Sequence, residues 1–158
     1  MRFNEFIVSA KILALAPPFG LREVVQRLLI HLSNDGFIAS SEREVMTDAV
    51  MHRESLQPTG IGGGVAVPHA RHAALTRRLG ILGLCRPSFE AASIDGEPID
   101  LVFLMLAPWE SPGRALRVPR ESEQLVRTLA NGDVLARLRS ATSDEQLHRD
   151  LLTGAQSK

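Results

Sequence analysis

The sequence contains a single cysteine among 158 residues, and this scarcity limits the chemistry it can carry. One cysteine excludes an intramolecular disulfide and a cluster of cysteine metal ligands. Cys85 lies in the apolar run "LGILGLC", where we expect a buried and unreactive thiol rather than a nucleophile. A fold held without disulfides suits a reducing compartment.

The chain also lacks net charge and a long apolar segment. Its 18 basic residues balance its 18 acidic residues, so no overall field attracts nucleic acid or an anionic membrane. Charged residues and Pro17-Pro18 interrupt the N-terminal stretch "MRFNEFIVSAKILALAPPFG", which excludes a signal-like or membrane-spanning segment there. We therefore expect a soluble cytoplasmic protein that neither binds nucleic acid nor inserts into a membrane.

The composition, with 44% hydrophobic and 23% charged residues, fits one globular domain. We assign residues 1–158 to it, with a frayed tail from about residue 154. Apolar residues recur at helical spacing from Leu21 and predict an amphipathic helix that ends near Asn34. The stretch "SSERE" predicts a second helix, with Ser41 and Glu44 as a capping box.

Three short apolar runs, "VAV", "RLGILGLC" and "IDLVFLMLA", are bounded by glycine or proline and predict buried strands. Asp95-Gly96 between the last two predicts a hairpin turn, and thus an antiparallel pair. Further helices are expected after Pro119, with Ser143 and Gln146 as a second capping box. The sequence therefore predicts an α/β fold with a mixed sheet flanked by helices.

The most informative stretch is "GIGGGVAVPHAR", in which four glycines precede a Pro-His pair. It matches neither the dinucleotide-binding nor the P-loop pattern. Successive glycines can aim several N–H groups at one anion, and Pro68 restricts the backbone before His69. A neutral imidazole is a competent nucleophile toward phosphorus. The pattern suggests a phosphohistidine at His69, although many such glycine runs are only turns.

Two residues upstream extend this hypothesis. The guanidinium of Arg53 is suited to bidentate binding of phosphoryl oxygens, and the hydroxyl of Thr59 offers a further donor. The alternative for Arg53 and Glu54 is a solvated helix end, where a basic residue suits the helix dipole.

The segment "RESLQPTGIGGGVAVPHAR" resembles the signature of the type-2 enzyme IIA domains of the bacterial phosphoenolpyruvate-dependent sugar phosphotransferase system. These are the fructose, mannitol and nitrogen-regulatory IIA proteins. Weaker similarity covers nearly the whole chain, including "PIDLVFLMLAP" and "SATSDEQLHRDLL". The signature residues present here are Arg53, Glu54, Thr59, Gly60, Ile61, Gly62, Gly64, Ala66, Pro68 and His69.

The resemblance implies a mixed-sheet α/β fold and a phosphoryl group that His69 accepts from the phosphocarrier protein HPr. It implies Arg53 as the electrostatic partner. The phosphoryl-binding loop would comprise Thr59, Gly60, Gly62 and Gly64, with Glu54 as an auxiliary residue. No cofactor and no metal are implied. The apolar stretch "GVAVPHA" is the expected docking patch for HPr.

One departure from the family pattern bears on the onward transfer of the phosphoryl group. Family members usually carry a second active-site histidine after the "LVFLMLAP" strand, and this sequence has no histidine between His72 and His148. The corresponding position falls near Ala115 or Val118. Nearby arginines offer charge without an acceptor nitrogen. His72 is a candidate for the missing imidazole, and the alternative is that it is an exposed loop histidine. The charge candidates are Arg114, Arg117 and Arg120.

Three functions remain open from the sequence. A free-standing nitrogen-regulatory type of IIA protein would change partner with the phosphorylation of His69. A sugar-transport IIA protein would pass the phosphoryl group to a fructose- or mannitol-type IIB domain. A binding module without phosphorylation is the third, and intact Arg53 and His69 argue against it.

Overall fold

The computed structural model describes residues 3–109 and 120–156. Within these ranges a mixed β-sheet carries helices on both faces, which confirms the predicted fold class. The strands are β1 (Ile7–Ala14), β2 (Gly60–Gly62), β3 (Val65–Ala66), β4 (His69–His72), β5 (Leu79–Phe89) and β6 (Ile99–Pro108). The helices are α1 (Phe3–Phe6), α2 (Leu21–Asn34), α3 (Arg43–Leu56), α4 (Arg120–Leu129), α5 (Gly132–Arg139) and α6 (Asp144–Gln156), with a 3₁₀ turn at Ser40–Glu42.

The strands are ordered β1-β5-β6-β3-β2, and β4 lies beyond β3 along the same side of β6. Strands β5 and β6 form the predicted antiparallel hairpin, and Gly96 in its turn has a φ of 72°. Strands β3 and β4 run parallel to β6, with Val65 opposite Leu101 and His69 opposite Met105. Strand β6 therefore sets the position of the Pro-His segment.

Strand β6 supplies side chains to two separate cores because successive residues point to opposite faces of a sheet. Val102 and Leu104 pack with α2 and α3, whereas Leu101 and Phe103 pack with α4, α5 and α6. All four side chains are fully buried, and burial of each stabilises the fold by about 1.5–3 kcal/mol. This explains why "IDLVFLMLA" is almost entirely apolar.

The observed helices agree in part with those predicted from the sequence. Helix α2 has the predicted bounds and buries the predicted apolar stripe. The predicted Ser41–Glu44 capping box is wrong, because Ser40–Glu42 forms a 3₁₀ turn and α3 begins at Arg43 without a side-chain cap. Helix α6 continues to Gln156, so the predicted tail is helical as far as the description extends. No helix in the described ranges is long and apolar enough to cross a membrane.

Strand β1 was not expected from the sequence. Its segment "IVSAKILA" lacks a regular alternation of buried and exposed residues, so periodicity gives no strand signal. It pairs in parallel with β5 at the edge of the sheet. Asp144, the first residue of α6, accepts the Ile12 N–H at 2.7 Å and lies 3.9 Å from the ammonium group of Lys11. Helix α6 thus covers part of this edge.

Cys85 is buried as expected, with 1% of its surface exposed. It lies in β5 opposite Leu13 of β1. Burial, with a smaller contribution from Asp100, raises the pKa of the thiol to about 12. The thiolate that reacts with disulfide reagents is therefore scarce at neutral pH.

We expect the folded protein to resist labelling by a chromogenic disulfide reagent at mildly alkaline pH. The same protein in concentrated guanidinium chloride should release one thiol equivalent at once, because unfolding removes the burial that raises the pKa of Cys85. Labelling of the folded protein as fast as of the unfolded chain would contradict a buried thiol.

Candidate functional site

His69 begins β4, and its imidazole is half-buried. The preceding carbonyl, that of Pro68, accepts the Met105 N–H at 3.0 Å and holds this backbone against β6. Nδ1 of His69 lies 3.0 Å from the carbonyl oxygen of Val67. A carbonyl only accepts, so Nδ1 carries the proton, and in the neutral ring the lone pair belongs to Nε2. The local backbone therefore selects the ring nitrogen that is able to attack.

A chain of hydrogen bonds connects this imidazole to α3. The Glu54 carboxylate accepts both the backbone N–H of Thr59, at 2.8 Å, and its hydroxyl, at 2.6 Å. The carbonyl of Thr59 accepts the Val67 N–H at 3.1 Å. The Val67 carbonyl in turn accepts from His69. Glu54 and Thr59 thus position the imidazole through the backbone, and the Thr59 hydroxyl is engaged by a carboxylate.

Arg53 lies in the last turn of α3, beside Glu54. Its Nη1 donates to the carbonyl of Gln57 at 3.0 Å, where the helix gives way to the loop before Thr59. Helix α3 packs directly on β4. The structure therefore connects Glu54 and Thr59 to the segment that holds His69, and it places Arg53 beside the loop that leads to Thr59.

The glycine turn lies elsewhere. Gly62 and Gly64 have φ values of 95° and 81°, which only glycine adopts readily. They precede β3, which pairs with β6 at Leu101, whereas His69 pairs at Met105. Four residues of strand separate the two points by about 13 Å. The structure does not bring Gly62 and Gly64 beside the imidazole, whereas Gly60, which pairs with Ala66, lies closer.

Three polar groups of this turn, the Gly63 N–H and the carbonyls of Gly63 and Gly64, bind within the protein. The Gly63 N–H donates to Asp95 at 2.9 Å, and this bond is the main cause that lowers the pKa of the Asp95 carboxyl. The Gly64 carbonyl accepts the N–H groups of Asp100 and Leu101. Arg139 donates to the Gly63 carbonyl and to both oxygens of Asp100. The glycines therefore form a turn that hydrogen bonds to Asp95, Asp100 and Arg139 hold in place.

His72 lies on the other face of β4, since residues three apart in a strand point in opposite directions. Its Nδ1 accepts the Ala74 N–H at 3.1 Å, and Nε2 lies 3.7 Å from Glu42. Its neighbour on that face, Ala70, packs against the core of α2 and α3. The structure therefore does not place His72 as a second imidazole beside His69.

Several residues that the sequence suggested for the site lie outside the described part of the chain. Ala115 and Val118, the positions that correspond to the second histidine, lie outside the described residues, as do Arg114 and Arg117. Arg120 begins α4. Within residues 3–109 and 120–156, no group of three or more His, Cys, Asp and Glu side chains is arranged to hold a metal ion.

The structure corrects part of the expected docking patch, of which Val67, His69 and Ala70 are half-buried. Val65 and Ala66 of the "GVAVPHA" segment are buried in the cores, so they cannot contact a partner. Two other apolar side chains are exposed at the ends of elements that contact β4. Leu56 ends α3 and is 70% exposed, and Trp109 comes directly after the end of β6 and is 67% exposed.

Comparison with known proteins agrees with the family resemblance of the sequence signature. Residues 21–153 match the model of a family described as "Phosphoenolpyruvate-dependent sugar phosphotransferase system, EIIA 2". The nitrogen regulatory protein of Klebsiella oxytoca is 31% identical over 115 residues, which cover 72% of this chain and 68% of that protein.

Two solved structures share the fold. The crystal structure of nitrogen regulatory protein IIA-Ntr from Neisseria meningitidis has a TM-score of 0.76 at 22% identity, covering 94% of this chain and 97% of that one. The complex of IIA mannitol with phosphorylated IIB mannitol from Escherichia coli matches with a TM-score of 0.62 at 18% identity, covering 94% and 95%.

The hydrogen-bond chain leads to a prediction for Thr59→Val. The substitution keeps the shape and removes the hydroxyl that donates to Glu54, so the free energy of unfolding should fall by about 2 kcal/mol. The His69 imidazole should also lose its preference for the Nδ1–H tautomer, because the Val67 backbone is held less firmly. Long-range proton–nitrogen NMR spectra of the imidazole measure the tautomer, and chemical denaturation measures stability.

Thr47→Val is the matched control, since Thr47 is a buried threonine of α3 whose hydroxyl donates to the Arg43 carbonyl. We expect it to lower stability without changing the tautomer of His69. Equal effects of both substitutions on the imidazole would refute a specific connection through Thr59.

Proposed function

Because the chain belongs to the EIIA 2 family of the phosphoenolpyruvate-dependent sugar phosphotransferase system, we propose that it carries a phosphoryl group on Nε2 of His69. The observation that carries this proposal is the bond between Nδ1 and the Val67 carbonyl. It leaves the lone pair on Nε2 and fixes the direction of attack before a donor arrives.

The donor in this proposal is the phosphohistidine of an HPr-type phosphocarrier protein. Nε2 of His69 attacks phosphorus in line, a P–N bond forms, and the P–N bond of the donor breaks, returning its electron pair to the donor nitrogen. The Nδ1 proton of His69 is then released to water, and the donor imidazole takes up one proton, so that both rings are neutral. The protein contributes position and positive charge, which are the main requirements of phosphoryl transfer.

Arg53 is the residue that we assign to the phosphoryl oxygens. A guanidinium binds such oxygens bidentately and offsets most of a double negative charge. The bond between Arg53 and the Gln57 carbonyl restrains the side chain at the end of α3. Glu54 and Thr59 act as positioning residues, because their hydrogen bonds reach His69 only through the backbone.

We assign the phosphorylated protein to regulation in the cytoplasm, in the manner of a nitrogen-regulatory IIA protein. The similarity to the Klebsiella oxytoca nitrogen regulatory protein supports this assignment. The alternative is transport, in which the phosphoryl group passes to a fructose- or mannitol-type IIB domain. The fold shared with the IIA mannitol of a solved IIA–IIB complex supports the alternative.

Partners of either kind would dock on the exposed side chains of Leu56 and Trp109. Both lie at the ends of elements that border β4, and exposed apolar side chains near a reactive group suit a small, transient interface. Arg53 lies beside Leu56 in the same helical turn. Docking there would bring the donor phosphohistidine close to His69.

The first test is intact-protein mass after incubation with phosphoenolpyruvate, enzyme I and HPr. We expect the wild-type protein to gain one acid-labile phosphoryl group and His69→Ala to gain none. The substitution removes a half-buried side chain at the start of a strand, so the fold should persist, and circular dichroism checks this. Phosphorylation of a folded His69→Ala variant would exclude His69 as the acceptor.

A second test concerns Arg53. Arg53→Ala should slow the gain of the phosphoryl group about 10- to 100-fold, because a donor to the transferring oxygens is lost. Arg53→Lys should recover part of the rate, since it restores charge without the bidentate fork. Arg22→Ala serves as control, because Arg22 pairs with Glu44 and Asp48 on the exposed surface. Equal rates for the wild-type protein and Arg53→Ala would remove Arg53 from the site.

A further inference from the structure

Besides Arg53 at the end of α3, the site has an arginine in β4 itself, on the same face of the strand as His69. Residues two apart in a strand point to the same side, and Arg71 stands two positions after His69 in β4. Their Cα atoms are therefore about 7 Å apart, which lies within the reach of an arginine side chain. Ala70 and His72 occupy the other face. Arg71 is thus the basic residue that the strand itself brings to the imidazole.

The Arg71 side chain is restrained along the strand pair. Its Nη1 lies 3.4 Å from the carbonyl oxygen of Pro108, the last residue of β6, and the residue is half-buried. Arg71 itself pairs with Ala107 of β6, two residues beyond the Met105 that pairs with His69. The guanidinium is therefore held near the end of β6, on the side of the sheet that His69 faces.

Arg53 and Arg71 would reach a phosphoryl group from different directions. Arg53 comes from the end of α3 and is restrained by the Gln57 carbonyl. Arg71 comes from the strand and is restrained at Pro108. A phosphoryl group on Nε2 carries close to two negative charges and three acceptor oxygens, more than one guanidinium can pair bidentately. Two cations on separate elements match that charge.

We propose that Arg71 is a phosphoryl-binding residue that contacts the phosphate oxygens once His69 is phosphorylated. This inference rests on the proposed phosphorylation of His69, and it does not depend on which protein supplies the phosphoryl group. Arg53 and Arg71, which both lie within the described ranges, would then balance the two negative charges of the phosphoryl group. The competing role is structural, in which Arg71 only fastens the end of β6 to β4.

The test uses phosphoramidate, a small phosphoryl donor, so that HPr is not needed. Nε2 of His69 attacks the phosphorus, the P–N bond of the donor breaks, and ammonia leaves with the electron pair of that bond. The variants are Arg71→Gln, Arg71→Lys and the matched control Arg86→Gln. Arg86 also donates to backbone carbonyls, those of Arg139 and Ala141, but toward the opposite end of the sheet.

The main readout is the apparent pKa of the phosphohistidine, measured through its ³¹P chemical shift. A nearby cation favours the deprotonated forms, so Arg71→Gln should raise this pKa by about one pH unit. Arg71→Lys should leave the phosphohistidine pKa close to that of the wild-type protein, because lysine keeps the positive charge. Arg86→Gln should have the same phosphohistidine pKa as the wild-type protein. Labelling of Arg71→Gln by phosphoramidate should be about tenfold slower. A purely structural role for Arg71 would change the unfolding temperature but not the pKa.

Each outcome has a distinct meaning. An unchanged phosphohistidine pKa in Arg71→Gln, with or without reduced stability, would overturn the assignment of Arg71. A wild-type protein that phosphoramidate labels at His69 but HPr does not would contradict the proposed donor and leave the Arg71 test intact. A wild-type protein that is not labelled at His69 by either donor would contradict both proposals.

Discussion

The candidate site depends on one carboxylate, that of Glu54, which receives both hydrogen-bond donors of Thr59. The Thr59 carbonyl accepts the Val67 N–H, and the Val67 carbonyl accepts from Nδ1 of His69, so hydrogen bonds connect Glu54 to the imidazole. These hydrogen bonds lead from helix α3 through the loop at Thr59 to strand β4. Glu54 is therefore connected to the imidazole through the backbone of the loop and not through a bond of its own to the ring.

The sequence predicted those parts of the fold in which the pattern of side chains is regular. The apolar stripe of α2 and the apolar runs of β5 and β6 gave the helix, the hairpin and the mixed sheet. The start of α3 was predicted incorrectly because serines also favour the 3₁₀ turn that precedes it. Strand β1 gave no signal, since tertiary pairing with β5 rather than local pattern defines it.

The same contrast holds for the site. Residues adjacent in the motif are separated in space, because β2 and β3 run antiparallel and carry Gly62 and Gly64 away from His69. Spacing along the chain could not show this, and the glycine turn serves the fold through Asp95, Asp100 and Arg139. Arg71, by contrast, stood within the quoted motif, but its relation to His69 required the knowledge that this segment is a strand.

The pairing of Asp144 with β1 has a consequence for how the protein meets other chains. An edge strand with unpaired N–H groups is a template for adding a foreign strand, which leads to persistent association and aggregation. Asp144 and Lys11 cover part of that edge with a carboxylate and a charge. At the other end of the sheet order, β2 has only three residues and two glycines. Contacts made by side chains at element ends can be released quickly, which a carrier that exchanges partners requires.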